Sequence, residues 1–223
     1  MEPLAFIGGT GPEGLGLAMR LAAAGEPVLI GSRSTARAQA AAGRVRAAVP
    51  GARAAGCTND EALAVSERIV CTLPFVGLPA FLAAAAARLA GKLVIDVIVP
   101  LALQEGVFVP APVPGAASVG ELIQQVAPRA RVVSAFKNLP AEQLGNLGAP
   151  LAGDVVLCGN DAAARAAVAA LVARLPGLRA VDAGALANAR ALEAITALLR
   201  NLNRRHRART SIAILGLPEG QRS

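Results

Sequence analysis

Three glycines spaced as GxGxxG, Gly9, Gly11 and Gly14, stand between the first apolar run of the chain, Leu4–Gly8, and an Ala/Leu-rich stretch with helical spacing. That spacing suits a dinucleotide pyrophosphate: one glycine for the tight turn, one for close approach of main chain to phosphate, one for packing helix on strand. The free N–H groups of the helix amino terminus then face the anion. A bare glycine triplet means little in a chain with 23 Gly. Its place between a strand and a helix makes it a nucleotide loop.

The end of the second strand selects the nucleotide. NAD proteins carry an acid there for the ribose hydroxyls, whereas this chain reads Gly31-Ser32-Arg33 and has no acidic residue between Glu26 and Asp60. Arg33, Arg37, Arg44, Arg46 and Arg53 fall in that window. Guanidinium forks and a hydroxyl suit a 2′-phosphate, which an aspartate would repel. The expected ligand is NADP(H), with Ser32 and Arg33 as main contacts and Thr10 and Arg37 in support; Arg44, Arg46 and Arg53 are expected to solvate a helix.

Absences narrow the chemistry. With no tyrosine a Tyr–Lys dehydrogenase is excluded, and the Cys and His residues do not supply a zinc dehydrogenase's ligands. The single histidine, His206, sits in the basic run RRHRAR and reads as a solvated residue. Lys137, just past the fifth strand, is the remaining cationic acid; Lys92 precedes a strand and faces the wrong edge. Hydride transfer between two ring cofactors needs no such acid, only two planes held face to face. A carbonyl or imine reductase would use Lys137 as proton donor, and Lys137→Ala is expected to separate the two, sparing ring-to-ring transfer. A flavin reductase, or a non-catalytic NADPH-binding regulatory module, stays open beside them.

The elements that position these residues follow from alternating apolar and Ala-rich runs, the pattern of an α/β fold with a doubly wound parallel Rossmann sheet. Strands are expected at Leu4–Gly8, Pro27–Gly31, Arg68–Thr72, Lys92–Asp96, Arg131–Ala135, Asp154–Cys158 and Arg179–Asp182. Helices are expected at Gly14–Ala24, Thr35–Val49, Asp60–Ser66, Gly77–Ala90, Ser118–Val126, Asp161–Leu175 and about Leu186–Asn203. Ile98–Ala117, with four prolines and two glycines, reads as a long loop at the carboxyl edge of the sheet, and Pro140–Gly153 as linker-like. The division is an NADP-binding domain over 1–184 and a small helical C-terminal appendage over 185–223.

Composition bounds the partners. Net charge is +7, but all basic residues except Lys92 and Lys137 are arginine in an Ala-rich chain, a bias of coding as much as of surface. Without Trp or Tyr and with five Phe, base-stacking platforms for nucleic acid are hard to build; an anionic small ligand fits better. The start lacks a basic n-region, and no apolar stretch reaches spanning length. Cys57, Cys71 and Cys158 are spaced as buried thiols of a reducing compartment. A cytoplasmic protein with no membrane, nucleic-acid or metal partner is expected.

In order along nearly the whole chain, GGTG, the strand-end GSR, TLPF (Thr72–Phe75), SAFKNLPA (Ser134–Ala141), VLCGND (Val156–Asp161), DAGALANAR (Asp182–Arg190) and EAITALLRNL (Glu193–Leu202) resemble the NADPH-dependent reductases of the 8-hydroxy-5-deazaflavin coenzyme F-420. The resemblance implies hydride transfer between NADP(H) and coenzyme F-420. It carries Thr10, Ser32, Arg33 and Arg37 to the adenosine phosphate and the Thr72, Leu73, Pro74 and Phe75 segment to the cofactor's cleft edge. Lys137, Asn138, Leu139 and Thr196 would line the ring-stacking site, Lys137 and Thr196 as its catalytic groups. The chain departs from the family pattern at Lys137-Asn138 (His-Thr in the family), Phe75 (Trp), Ala194 (Ser) and Ala197 (Pro), all bordering the second ring. A homodimer is implied as well, and the apolar face of Leu192, Ile195, Leu198, Leu199 and Leu202 is wide enough to need a partner. The arginines at 200, 204, 205, 207 and 209 read either as a solvated end or as a site for the anionic tail of the coenzyme.

Overall fold

Along β1 (Leu4–Ile7), Leu4 and Phe6 face one buried cluster while Ala5 and Ile7 face another. The same period of two recurs in β4 (Arg68–Cys71), β5 (Leu93–Asp96) and β8 (Arg131–Ser134), where Val70, Ile95 and Val133 join the first cluster and Ile69, Val94 and Val132 the second. Strands apolar on both sides must lie inside a sheet covered on both faces. The structure, a computed structural model, describes residues 2–217, and it has that architecture.

With β2 (Val28–Ser32), β3 (Ala54–Thr58), β9 (Gly153–Gly159) and β10 (Leu178–Asp182), the strands form one eight-stranded sheet in the order β10-β9-β8-β5-β4-β1-β2-β3. One face is covered by α1 (Pro12–Ala23), α2 (Thr35–Ala48) and α7 (Ala162–Ala173), the other by α3 (Asn59–Val65), α4 (Leu78–Ala85) and α5 (Val119–Val126). The C-terminal helix α8 (Ala189–His206) sends Ala189 and Leu192 into the second cluster. Helix starts follow side-chain chemistry: Ser34 caps α2, Asp161 caps α7, and Thr58 with Glu61 forms a capping box on α3.

The sheet is not parallel throughout. β9 and β10 are parallel to each other, but β8 and β9 pair antiparallel through Val133↔Gly159 and Ser134↔Cys158. The segment between them never crosses back over the sheet, so the next strand has to run the opposite way. Nor is Pro140–Gly153 a free linker. It holds a one-turn helix, α6 (Ala141–Leu144), packed so closely on α1 that a Cβ on Gly16 would stand 2.7 Å from that of Leu144. The Arg20 guanidinium donates to the carbonyls of Gln143, Leu144, Asn146 and Ala149 and pins it there.

Ile98–Ala117 differs from the expected loop. It contains a hairpin, β6 (Leu101–Gln104) and β7 (Val107–Pro110), closed by Glu105 (φ 49°) and Gly106 (φ 81°). Two successive left-handed residues make the tight turn that matches strand twist. The prolines sit just outside the ladder or at its last pair, where no amide proton is needed. β3 also lacks a strand-like sequence and is held by parallel pairing to β2. After α8 the chain turns at Arg207 (φ 50°) and runs back beside β9, where Asp154 N–H donates to Ile212 O at 2.8 Å.

Candidate active site

β1 ends between β2 and β4, at the point where the sheet's connections diverge to either side, which is where open α/β sheets hold ligands. Gly9 and Gly14 are packed shut: a Cβ on Gly9 would come within 2.6 Å of Phe6 Cβ, and one on Gly14 within 2.7 Å of Thr72 Oγ1. Gly11 differs. It is extended (φ −75°, ψ 166°), and a Cβ there would meet nothing within 4 Å. The space before the α1 amino terminus is therefore a cradle that a side chain would begin to fill, which fits the pyrophosphate reading of the motif. Gly8, outside the expected triplet, is also required: it is left-handed (φ 77°), lies against Leu73, and donates its N–H to Asn59 Oδ1 at 3.1 Å.

Ser32 is buried at the end of β2, its Oγ accepting from Ser34 N–H at 3.2 Å. Arg33 and Arg37 are exposed beside it, and neither side chain has an ion pair among the described residues. Two uncommitted guanidiniums next to a strand-end hydroxyl suit a phosphomonoester. Thr10 lines a neighbouring recess with Arg44, a residue the sequence assigned to helix solvation only. Thr72 donates to Ile7 O at 2.9 Å and packs on Gly14, while Pro74 precedes a single 3-10 turn that starts at Phe75. This segment braces the glycine loop.

A second cavity, about 420 Å³, opens beside α1 between the hairpin, the β8–α6 segment and α8. That volume suits a planar ring system. Lys137, Leu139 and Thr196 lie on its wall, as the resemblance implied, and Asn138 does not. Lys137 and Asn138 are the middle of a turn that Leu139 N–H closes on Phe136 O, and the Asn138 side chain leaves it toward β9 to donate to Asp154 O at 2.7 Å.

The surroundings of Lys137 bear on the acid role expected of it. Phe136 adopts a left-handed conformation (φ 60°) that costs about 1–2 kcal/mol. The lysine after it is fully buried, its ammonium 2.7 Å from Asp96, 3.2 Å from Glu193 and 2.5 Å from Ile98 O. Burial alone would depress this ammonium, but the charges and hydrogen bonds of Asp96 and Glu193 outweigh it and raise its pKa. Asp96 also accepts from Ser134 Oγ and Ile98 N–H, and Glu193 from Val119 N–H. Burial raises Glu193 above the usual carboxylate range, against the pull of Lys137. Lys137 is thus the cation of a buried ion cluster with its three donors engaged. Thr196, the other expected catalytic group, directs its hydroxyl to Lys137 O and Leu192 O, fixing α8 to the lysine segment.

Glu13, in the first turn of α1, was not among the expected site residues. It is half-buried on the cavity wall, and burial pushes its carboxyl up to about 7, with Lys137 opposing and Asp96 reinforcing the rise. Asp96 and Glu193 were missed as well. Glu193, Thr196, Arg200, Asn203 and Arg204 recur at helical spacing, so a polar stripe on α8 was legible beside the apolar one. Arg200 stacks 4.9 Å from the Phe108 ring centroid, Arg204 donates to Gly106 O, and Arg209 pairs with Glu142. These three belong to the cavity wall; Arg205 and Arg207 are exposed.

Residues 3–100 match the family model described as "NADP oxidoreductase coenzyme F420-dependent". A curated "F420-dependent NADP reductase" of Methanocaldococcus jannaschii is 34% identical over 96% of this chain and 98% of its own length. The chain belongs to the F420-dependent NADP reductase family. A second such reductase, from Methanothermobacter marburgensis, is 36% identical over 97% of this chain and 99% of that protein. Among solved structures, a chain from Arthrobacter sp. FB24 assigned as an F420-dependent NADP-reductase aligns with a TM-score of 0.79 at 28% identity, covering 98% of this chain and all of that one. An imine reductase from Bacillus cereus, at 16% identity and a TM-score of 0.58 over 92% of this chain and 60% of its own, shares the fold. Cys71 and Cys158 are buried, their thiols pushed up to about 12 by burial, and Cys57 is half-buried. No group of potential metal ligands occurs among the described residues, and no helix in them is long and apolar enough to cross a membrane.

Proposed function

We propose that the chain transfers hydride between NADP(H) and the 8-hydroxy-5-deazaflavin coenzyme F-420. The observation that carries this is the adjacency of an open glycine cradle and a 420 Å³ cavity, with α1 bordering both, in a member of this family. NADP(H) supplies the hydride or takes it up. Gly11 admits the pyrophosphate, while Ser32, Arg33 and Arg37, supported by Thr10, hold the 2′-phosphate. Leu139 and the Lys137 main chain give the accepting ring a floor, and the buried ion cluster beneath keeps that floor rigid. Arg200 and Arg204 face the cavity where the anionic part of the coenzyme would enter. An assay of NADPH oxidation with F-420 and with FMN side by side tests the reading: rapid oxidation with F-420 supports it, and oxidation with FMN alone replaces it with flavin reduction.

A homodimer belongs to the same reading. Leu103 and Val107 of the hairpin and Leu198 of α8 are exposed, and light scattering at micromolar concentration tests whether a second copy covers them. We also place the protein in the cytoplasm, in keeping with three free thiols.

A further inference from the structure

Hydride passage between two rings requires no acid at the reacting carbons, yet it moves charge. The nicotinamide gains a positive charge and the accepting ring a negative one, so the balanced reaction consumes one proton beyond the hydride. The cavity wall offers few sources. Lys137 has its donors engaged, arginine does not give up its proton, and Glu142 is exposed and tied to Arg209. Glu13 remains. It lines the same wall, half-buried, and no ion pair among the described residues includes it.

We propose that Glu13 is a redox-linked proton site, keeping its proton beside the reduced nicotinamide and yielding it to the accepting ring as hydride leaves. This rests on the hydride transfer proposed above. The C–H bond broken at the nicotinamide is replaced by one on the deazaflavin carbon. The O–H bond broken at Glu13 is replaced by an N–H bond on the deazaflavin, and water at the cavity mouth later returns a proton to the carboxylate. The charges around Glu13 set a balance that one added charge can tip. Lys137, from the segment after β8, favours the carboxylate, while Asp96 from β5 disfavours it. Across the cavity stand Arg200 and Arg204 on α8, Glu142 on α6 and Arg209 beyond, with Glu193 of α8 buried behind the wall against Lys137. The α1 dipole favours the carboxylate, and a pyrophosphate held at the same helix end opposes it. With its carboxyl pushed up to about 7, Glu13 exchanges its proton near neutral pH, where one added charge changes its occupancy.

Calorimetry of NADP⁺ and NADPH binding at pH 7, repeated in buffers of different ionisation enthalpy, counts protons exchanged. The 2′-phosphate is common to both ligands and cancels in their difference. With Glu13 protonated beside NADPH and ionised beside NADP⁺, the native protein is expected to release up to about one proton more with NADP⁺ than with NADPH, and Glu13→Gln to abolish that difference while still binding both. An equal difference in Glu13→Gln overturns the proposal. If that variant does not fold, ¹³C-glutamate spectra of the native protein decide: a carboxyl titrating near pH 7 that ionises on adding NADP⁺ supports the assignment, and none titrating there refutes it. A protein that fails to reduce F-420 in the assay above refutes the hydride reading instead, so the two failures are told apart.

Discussion

Replacing Lys137 with methionine keeps most of the side chain's volume and removes its charge. Asp96 and Glu193 are then left in a fully buried site, with Ser134, Ile98 and Val119 still donating to them but no cation between them. Breaking a buried ion pair from one side costs about 3–5 kcal/mol, because the remaining charge keeps its desolvation penalty and loses its compensation. For a chain of this size each kcal/mol moves Tm by about 2–4 °C, so the expected drop at pH 7 is roughly 6–20 °C. The loss should shrink as pH falls, since a proton on Glu193 removes one stranded charge, and Lys137→Met/Glu193→Gln should recover part of it at neutral pH, with the recovery fading in acid. Calorimetric melting of the two variants and the parent from pH 5 to 8 measures this. A Lys137→Met melt within about 2 °C of the parent at pH 7 would refute the ion-cluster account. Because the lysine supports the cavity floor, Lys137→Ala is expected to slow ring-to-ring transfer rather than spare it, as NADPH oxidation with F-420 would show.

Arg33→Ala should weaken NADPH by about 1.5–3 kcal/mol and leave NADH nearly unchanged, as read by direct titration; equal losses would remove Arg33 from the 2′-phosphate. Gly11→Ala should melt like the parent yet bind NADPH poorly, whereas Gly14→Ala should melt lower because its Cβ strikes Thr72. Glu13→Gln should change the pH profile of stability. A carboxyl raised from 4.5 to about 7 favours the fold fully below 4.5 and loses that advantage as pH rises through 7, so the parent should lose up to about 3 kcal/mol relative to the variant. Solvent reaching the half-buried carboxyl reduces the figure; parallel stability curves would contradict the shift. Changing Arg204, Arg205 and Arg207 together to alanine should raise KM for full-length F-420 at low salt, and the effect should fade with ionic strength.

The nucleotide half was legible because it is local: one turn, one helix start and one strand end, with glycine and arginine at positions where few other residues serve. The hairpin at 101–110 was hidden by its prolines, whose damage depends on which amides the ladder uses. The strand at 54–58 was hidden by its composition. AAGCT has little strand preference, and Gly56 is there because a Cβ would lie 2.3 Å from the Ala38 carbonyl carbon of α2, a contact set by tertiary packing. The ion cluster was missed because its members are 41 and 56 residues apart: Lys137 was read alone, and its meaning lies in the two acids that reach it.

The hairpin is fastened to α8 by Asn201, whose side-chain amide takes both the N–H and the C=O of Phe108 at 2.8 Å. One side chain thus does what a neighbouring strand would do, and it belongs to neither the glycine loop nor the ion cluster. The wall that meets the second substrate can therefore be re-cut by exchanging the hairpin and one face of α8, leaving the nucleotide-holding first 75 residues untouched. Such an arrangement lets acceptor preference drift while cofactor preference stays fixed. It also gives protein engineers a natural seam along which to graft a different acceptor pocket onto the same NADP(H) platform.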